Sequence, residues 1–556
     1  MKGSRALLKL MEDRGIETMF GYPGGSVIPI YDEILESSIR HVLVRHEQCA
    51  AHMADGYSRA SGKTGVCLAT SGPGATNLIT GIGTAYADSV PMLVLTGQVA
   101  SGSLGLGAFQ EVDAFSLMMP VTKHNYRVLD LDQLPTAIGE GWELARSGRP
   151  GPVHVDLPVD AMNSDIDQSM LERKPEPREQ YTDYSRTQEA LALIAQAKRP
   201  IIVSGGGVVG SDSSELMVEF AERIGAGVVT PLMGIGSIPS DHPLNLGPLG
   251  MHGRMSAYQA IKQTDLVIAL GSKLSDRTFS SHTEPVRGCG IIHVDIDRNE
   301  FGKHGKPSVD IQGYVGETLR LLLDGLPPKH NRAVWAGEVA SFGNRCSCDF
   351  GFDDMPILPQ RVMREVNAQL DDSTIVTTDV GQNQMWAMHC LKINRPRQFI
   401  SSGGFGTMGF GLPAAIGAKA ARPDCDVIAI TGDGGLMMVA QEIATSVAEN
   451  LPVTICLLNN GWLGMVKQWQ KLFWSERYSA TDLASVQCTD FVKLAESLGA
   501  DGTRVERPGE IGDALKRARE SGKTHLIEII VDPEEDVLPM LPPNPSIPLV
   551  RGRCPY

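Results

Sequence analysis

The pattern best suited to chemistry lies between Thr431 and Asn460, T-G-D-G-G-L-M-M-V-A-Q-E-I-A-T-S-V-A-E-N-L-P-V-T-I-C-L-L-N-N. An apolar run, Val427–Ile430, enters Gly432-Asp433-Gly434, and a helical stretch is expected from about Leu436. A second apolar run, Val453–Leu458, stops at Asn459-Asn460. A right-handed strand–helix–strand crossover makes the two strands parallel and opens both ends on one edge of the sheet. Asp433 and Asn460 then offer hard oxygen ligands to one Mg²⁺ or Ca²⁺. The helix N-terminus turns free N–H groups to the same place, so metal and helix together suit a diphosphate. Gly-Asp-Gly alone is an ordinary strand-to-helix turn; the paired asparagines after one full return make it specific.

A second candidate lies far upstream. Val42-Leu43-Val44 is followed by Arg45-His46-Glu47 and then A-A-H-M-A-D-G-Y, so Glu47 opens a helix after a strand. Most glutamates there only complement the helix dipole.

Three runs of alternating strands and helices must position these residues, which is the pattern of doubly wound parallel α/β sheets. Residues 1–165 carry strand candidates Thr18–Phe20, Val42–Val44, Val66–Ala69, Met92–Leu95 and Val153–Val155. Residues 190–325 carry Ile201–Ser204, Val228–Thr230, Leu266–Leu270 and Ile291–Val294. Residues 355–540 carry Ile375–Thr378, Val427–Ile430, Val453–Leu458 and Leu526–Val531. Polar, proline-bearing stretches at 163–190 and 327–352 read as linkers, and 541–556 as an irregular tail. Three α/β units in a row are compatible with duplication, but no short repeat is present.

At 556 residues the chain has room for about three domains. Its net charge of −15 argues against nucleic acid as a partner, since no basic surplus exists to neutralise phosphates. Ten cysteines without a C-x-x-C pair, Cys346 and Cys348 being closest, read as reduced thiols of a cytoplasmic protein. The chain opens on a helical pattern, Ala6–Met11, without a leader, and no apolar run reaches membrane-spanning length.

The G-D-G…N-N spacing, together with R-H-E-x-x-A-x-x-M-A-D-G-Y-x-R and A-T-S-G-P-G-A-T-N, resembles the thiamine diphosphate (ThDP) enzyme superfamily. The resemblance implies that Asp433, Asn460 and the main-chain carbonyl of Trp462 hold Mg²⁺. It implies that Glu47 hydrogen-bonds N1′ of the aminopyrimidine, favouring the imino tautomer of the 4′-amino group that acts as the cofactor's internal base. It also implies a homodimer or homotetramer whose active sites lie between subunits.

Further runs are similar to the acetohydroxyacid (acetolactate) synthase catalytic-subunit family. They include Phe20–Gly25, Ala108–Glu111, Val380–Trp386, Gly406–Ala415, Gly461–Gln470 and Val537–Met540. The similarity gives Met408 the role of propping ThDP in a bent shape. Gln382 and Asn383 become diphosphate contacts, and Gln110 with Phe109 lines the substrate pocket. Met465 and Trp469 form a hydrophobic rim, and Arg277 docks the carboxylate of the acceptor 2-oxo acid, which a planar guanidinium suits. The remaining ThDP contacts it implies are Tyr22, Pro23, Gly24, Pro73, Asn77, Val380, Gly406, Gly432, Gly434, Gly435, Leu463 and Gly464. FAD contacts are Arg149, Gly205, Gly206, Gly207, Met251, His252, Gly271, Ser272, Asp276 and Asp295, with the flavin structural rather than redox-active.

The expected reaction is decarboxylation of pyruvate and carboligation to a second 2-oxo acid, with a separate regulatory small subunit left open. Alternatives are a related ThDP carboligase or decarboxylase acting on another acceptor, a pyruvate-oxidase-like flavoenzyme, or a non-catalytic relative. The chain departs from the family's usual residues at Val159, Ala100 and Gly107, and at Leu274–Arg277 and Gly313–Val315.

Overall fold

The computed structural model describes all residues except 173–179, 276, 280–287, 304, 330–331, 346–352, 486–488, 542–548 and 551–556. Three six-stranded sheets, parallel throughout, follow one another along the chain. The first contains β1 (Thr18–Gly21), β2 (Arg40–Leu43), β3 (Gly65–Ala69), β4 (Met92–Gln98), β5 (His124–Arg127) and β6 (Pro152–Pro158), in the order β2-β1-β3-β4-β6-β5. The central sheet contains β7 (Pro200–Ser204), β8 (Gly227–Thr230), β9 (Asn245–Pro248), β10 (Leu266–Leu270), β11 (Gly290–Asp295) and β12 (Val309–Gln312), in the order β12-β11-β10-β7-β8-β9. The third contains β13 (Ile375–Thr378), β14 (Phe399–Ser401), β15 (Val427–Gly432), β16 (Thr454–Asn459), β17 (Asp501–Val505) and β18 (His525–Ile530), in the order β14-β13-β15-β16-β18-β17.

The first and third sheets therefore share one strand order. The central sheet, counted within itself, runs 3-2-1-4-5-6, the arrangement that binds dinucleotides where the strand order reverses. Interior strands such as Leu266–Leu270 and Met92–Gln98 are buried on both faces, because helices cover each side of a parallel sheet.

The first and third units share a hydrophobic core, whereas the central unit has its own. The joint is a pair of helices, Glu47–Ser61 and Gly411–Ala421. A Cβ on Gly56 would lie 2.1 Å from the Ala414 carbonyl oxygen, and one on Gly417 1.9 Å from that of Met53. Only glycine at both positions lets the backbones approach this closely.

Three expectations need correction. The helix after β15 begins at Asp433, not near Leu436, and stops at Met437 before a second helix, Glu442–Ala448. The stretch 327–352 is not all linker, since Ala333–Arg345 is a helix that buries Trp335 and Val339 in the central core. Five strands without strong apolar patterns are present as well: β5, β9, β12, β14 and β17, all of them sheet edges.

None of the six described cysteines, Cys49, Cys67, Cys289, Cys390, Cys425 and Cys456, forms a disulfide. Cys346 and Cys348 lie outside the described residues. Among the described residues, no helix is long and apolar enough to cross a membrane.

Candidate functional site

β15 pairs in parallel with β16, with Gly432 opposite Leu458, so Asp433 and Asn460 emerge from neighbouring strands at the same sheet edge. Asp433 is buried, and its carboxylate faces the backbone N–H groups of Gly434 and Gly461. Burial nevertheless pushes this carboxyl up to about 6. Asn460 Oδ1 accepts from Trp462 N at 3.0 Å, and Asn460 Nδ2 donates to Gln382 Oε1 at 3.3 Å. The Leu463 and Met408 side chains lie beside Gly434, and the Asn383 amide lies beside Gly432. Gly464 packs on Gln382 and Asn460, where a Cβ would fall 2.0 Å from Gln382 Oε1.

The donor set of this cluster fits a divalent cation that also binds a diphosphate. Asn383 Oδ1 is buried without a hydrogen-bond partner, an acceptor open to a cation or its water rather than to a phosphate oxygen. No group of three or more His, Cys, Asp or Glu side chains able to hold a metal exists among the described residues. One carboxylate, one amide oxygen and one carbonyl instead suit a Mg²⁺ that takes its remaining ligands from phosphates and water.

Asp379, which the motif reading passed over, organises the cluster from behind. It is fully buried at the end of β13 and accepts from Val380 N (2.8 Å), Gly409 N (3.0 Å) and Gly411 N (3.2 Å). Burial pushes its carboxyl up to about 6 against the pull of those three donors. A Cβ on Gly435 would lie 2.5 Å from Asp379 Oδ1. Asp379 thus ties the turn after Met408 to the start of the Asp433 helix. Its signal was in the sequence, because Thr378-Asp379-Val380-Gly381 repeats the strand-acid-glycine pattern of Thr431–Gly434.

The upstream cluster forms around Glu47, the first residue of its helix. Asn77 Nδ2 donates to Glu47 Oε2 at 2.9 Å. A Cβ on Gly74, next to Pro73, would meet Thr70 at 2.8 Å and Glu47 Oε1 at 3.3 Å. Gly24, which follows Tyr22 and Pro23, packs on Thr70. Gly72, at φ +60°, packs on the Gln110 backbone 2.8 Å from where its Cβ would be, and Gln110 itself stands at φ 59°. A left-handed non-glycine residue costs energy and is found where the surroundings hold it. Here Glu111 accepts from Gly105 N and Ala108 N, and Arg127 bonds both Asp113 and Asp156 beneath the loop. Among the described residues, no hydrogen bond or ion pair joins the Glu47 cluster to the Asp433–Asn460 cluster.

The flavin-assigned residues surround one cavity of about 770 Å³. It is lined by Arg149, Gly206, Gly207, Met251, His252, Gly271, Ser272, Asp295 and Arg277. It reaches Val380, Gly406, Met465 and Trp469 at the edge of the third unit. Gly205 supports the wall, since its Cβ would lie 2.2 Å from the Gly271 carbonyl oxygen. Asp276 lies outside the described residues.

The cavity opens where the central strand order reverses, between β7 and β10. His252 Nε2 is buried there without a hydrogen-bond partner, and burial pushes the Asp295 carboxyl up to about 6. Arg149 crosses from the first unit to pair with Glu300 (2.9 Å) and Asp297 (3.2 Å). A dinucleotide fits this cradle of glycine backbone, strand-end acid and unpaired donor-acceptor ring.

Val159 and Ala100 stand at neighbouring strand ends. Gln98 is opposite Pro158, and Ser101 N donates to Asp160 Oδ1 at 3.0 Å. Gly107 lies in the loop carrying Gln110, where nothing packs within 4 Å of its Cβ position.

Comparison with known proteins gives three family matches. "Thiamine pyrophosphate enzyme, N-terminal TPP binding domain" covers residues 1–117, "central domain" 187–322, and "C-terminal TPP binding domain" 379–529. The chain is 46% identical to the "Probable acetolactate synthase large subunit" of Methanocaldococcus jannaschii, over 98% of this chain and 94% of that protein. It is 42% identical to the acetolactate synthase large subunit of Corynebacterium glutamicum, over 97% and 88%. It is 39% identical to the acetolactate synthase isozyme 2 large subunit of Escherichia coli, over 98% of each.

Proposed function

Because the chain belongs to the acetolactate synthase large-subunit family of thiamine pyrophosphate enzymes, we propose that it decarboxylates pyruvate and joins the remaining two-carbon unit to a second 2-oxo acid. The products are 2-acetolactate or 2-aceto-2-hydroxybutyrate. The observation that carries this reading is the parallel pairing of β15 with β16, which sets Asp433 beside Asn460 within a buried, hard-oxygen cluster.

ThDP, when bound, would supply the electron sink for decarboxylation and carboligation. The chain's own residues bind, orient and protonate. Asp433, Asn460 and the Trp462 carbonyl would hold Mg²⁺; Gln382, Asn383 and the N–H groups of Gly432–Gly435 would take the diphosphate. Met408, beside Gly434, would support the thiazolium. Glu47, held by Asn77, would keep a proton at N1′ of the pyrimidine. Gln110 and Arg277 would receive substrate, the guanidinium pairing with the acceptor carboxylate. FAD would occupy the central cavity as a structural group, with Asp295 placed for ribose hydroxyls.

The Glu47 and Asp433 clusters remain separate within one chain, which favours an assembly of at least two copies with each site shared. Relatives are named large subunits, and we extend the proposal to a smaller partner subunit and to a cytoplasmic location.

Incubation of the protein with ThDP, Mg²⁺ and pyruvate alone tests the reaction; CO₂ and acetolactate are expected. An active protein that releases CO₂ without acetolactate would favour a decarboxylase or another acceptor, for which the altered rim at Val159 and Ala100 is the structural argument. A flavin absorption spectrum of the purified protein tests the central cavity. Mixing Glu47→Gln chains with Asp433→Ala chains tests sharing: hybrid dimers contain one intact site, so activity returns to about a quarter of the wild-type value. No return of activity after subunit exchange would place both halves of the site in one chain.

A further inference from the structure

Metal coordination by Asn460 requires its amide oxygen, not its NH₂ group, to face the ion. A network outside the metal site determines which end that is. Gln468, buried in the helix Gly464–Phe473, meets Val537 of the segment following β18 through both ends of its amide. Its Oε1 accepts from Val537 N at 2.9 Å, and its Nε2 donates to Val537 O at 2.9 Å. A backbone N–H cannot accept and a backbone carbonyl cannot donate, so Val537 fixes the orientation of this amide.

That orientation propagates. Gln468 Oε1 also accepts from Gln382 Nε2 at 3.0 Å, so Gln382 must present its NH₂ on that side. The Glu535 carbonyl, 3.3 Å from the same nitrogen, makes the same demand. Gln382 Oε1 therefore faces Asn460 and accepts from its Nδ2 at 3.3 Å. Asn460 Oδ1 is left pointing away, bonded to Trp462 N at 3.0 Å and retaining a second lone pair.

We infer that Gln468 is a positioning residue for the metal site: the Val537 backbone, read through the amides of Gln468 and Gln382, holds the oxygen of Asn460 in the ligand position. The inference rests on the reading of Asp433, Asn460 and Trp462 as the divalent-cation site. It assigns the segment Glu535–Val537 a part in metal binding although it supplies no ligand. Lys467, bonded to Pro533 O at 2.8 Å, and Lys471, paired with Asp536 at 2.9 Å, fasten that segment to the same helix.

The test titrates Mg²⁺ into protein with saturating ThDP and follows intrinsic tryptophan fluorescence, with turnover recorded separately. Gln468→Met keeps the length of the side chain but removes both amide ends, so that only the 3.3 Å bond to the Glu535 carbonyl still orients Gln382 and, through it, steadies the Nδ2 end of Asn460. Mg²⁺ affinity should fall 10- to 100-fold, as for other groups that orient metal ligands. Gln468→Glu still presents an acceptor to Gln382 in either protonation state. It should hold Mg²⁺ affinity within about threefold of wild type even if thermal stability drops. In an Asn460→Asp background the ligand has oxygen at both ends, and Gln468→Met should then change Mg²⁺ affinity less than about twofold.

Equal losses in the Met and Glu variants, or a loss that persists beside Asn460→Asp, would mean that Gln468 only packs and would overturn the relay. Wild-type Mg²⁺ affinity in Gln468→Met would overturn it as well. Should that variant not fold, Gln468→Leu carries the same expectation. Wild-type protein that binds ThDP equally with and without Mg²⁺ would refute the metal site itself, and the relay with it.

Discussion

In both the first and the third sheet, the chain lays its second strand outside the first and then crosses to put the third on the other side. The winding therefore reverses between β1 and β3 in one unit and between β13 and β15 in the other, where α/β sheets open a crevice. The first crevice is bordered by Tyr22–Gly24 and Thr70–Pro73, and the only carboxylate assigned to its site, Glu47, comes from beyond the edge strand β2. The second is bordered by Asp379–Gln382 and Gly432–Gly435, with two buried carboxylates at the strand ends themselves. Under the proposed function, one scaffold serves two chemistries. A neutral rim with a single acid suits a heteroaromatic ring, and an acid-bearing rim suits a metal with phosphates.

Substitutions of the two acids separate those chemistries most sharply. Glu47→Gln should lower turnover about 10²- to 10⁴-fold while cofactor affinity stays within a few-fold, because only proton placement is lost. Asp433→Ala should abolish Mg²⁺-dependent cofactor binding altogether. Equilibrium titration with ThDP alongside kcat distinguishes them; loss of binding in Glu47→Gln would erase the contrast between the two crevices.

Asp379 sharpens the comparison through pH. Its carboxyl sits at about 6 in the folded chain against an ordinary 3.8. Between those values the folded protein keeps a proton that the unfolded chain has lost. The stability from this group is therefore complete below about 3.8 and disappears as pH rises through about 6, a change of up to roughly 3 kcal/mol. Chemical denaturation of wild type and Asp379→Asn, which is uncharged at every pH, should give stabilities that run closest near pH 4 and separate as pH rises through about 6, wild type losing stability that the variant keeps. Parallel curves would show that Asp379 is ionised throughout.

Much of this was legible in the sequence. Every apolar run taken as a strand is one, to within three residues at either end, because interior strands of a parallel sheet are buried on both faces and need no alternation to be seen. The strands that escaped, such as His124–Arg127 and Asp501–Val505, lie at sheet edges where one flank meets other groups and polar residues are tolerated. Asp433, Asn460 and Glu47 were visible because spacing gave each a context. Asp379 left only the strand-acid-glycine pattern of Thr378–Gly381 as a trace, and Gln468 left none, since they bond backbone groups 30 and 69 residues away. The Ala333–Arg345 helix was hidden inside a stretch that begins with Pro327-Pro328, although Trp335, Val339 and Phe342 have helical spacing.

The helix joint between the units should respond more modestly. Gly417→Ala forces the Glu47 helix away from its partner, because the new methyl would meet Met53 O at 1.9 Å. Overpacking of this kind costs about 1–3 kcal/mol, read as a lower denaturation midpoint. Both Glu47, at the start of one helix, and the Met408 turn, just before the other, should shift with it. The kcat value should then fall more than stability alone explains, and unchanged kcat would mean the two crevices are positioned independently.

The smallest effect concerns Gln110, and its two readouts should move in opposite directions. At φ 59° this residue occupies the left-handed region, where a side chain costs roughly 1–2 kcal/mol. Glycine removes that cost but adds about 0.5–1 kcal/mol of backbone entropy to the unfolded chain. Gln110→Gly should therefore stabilise the protein by a net ~0.5–1 kcal/mol while lowering kcat/KM for pyruvate. A gain in stability with full activity would show that the strained residue does not touch substrate. A loss of stability would show that the Gln110 side chain, and not only the Glu111 and Arg127 bonds beneath it, holds the loop in place. The first crevice would then depend on its own substrate contact for its shape, as the second does not.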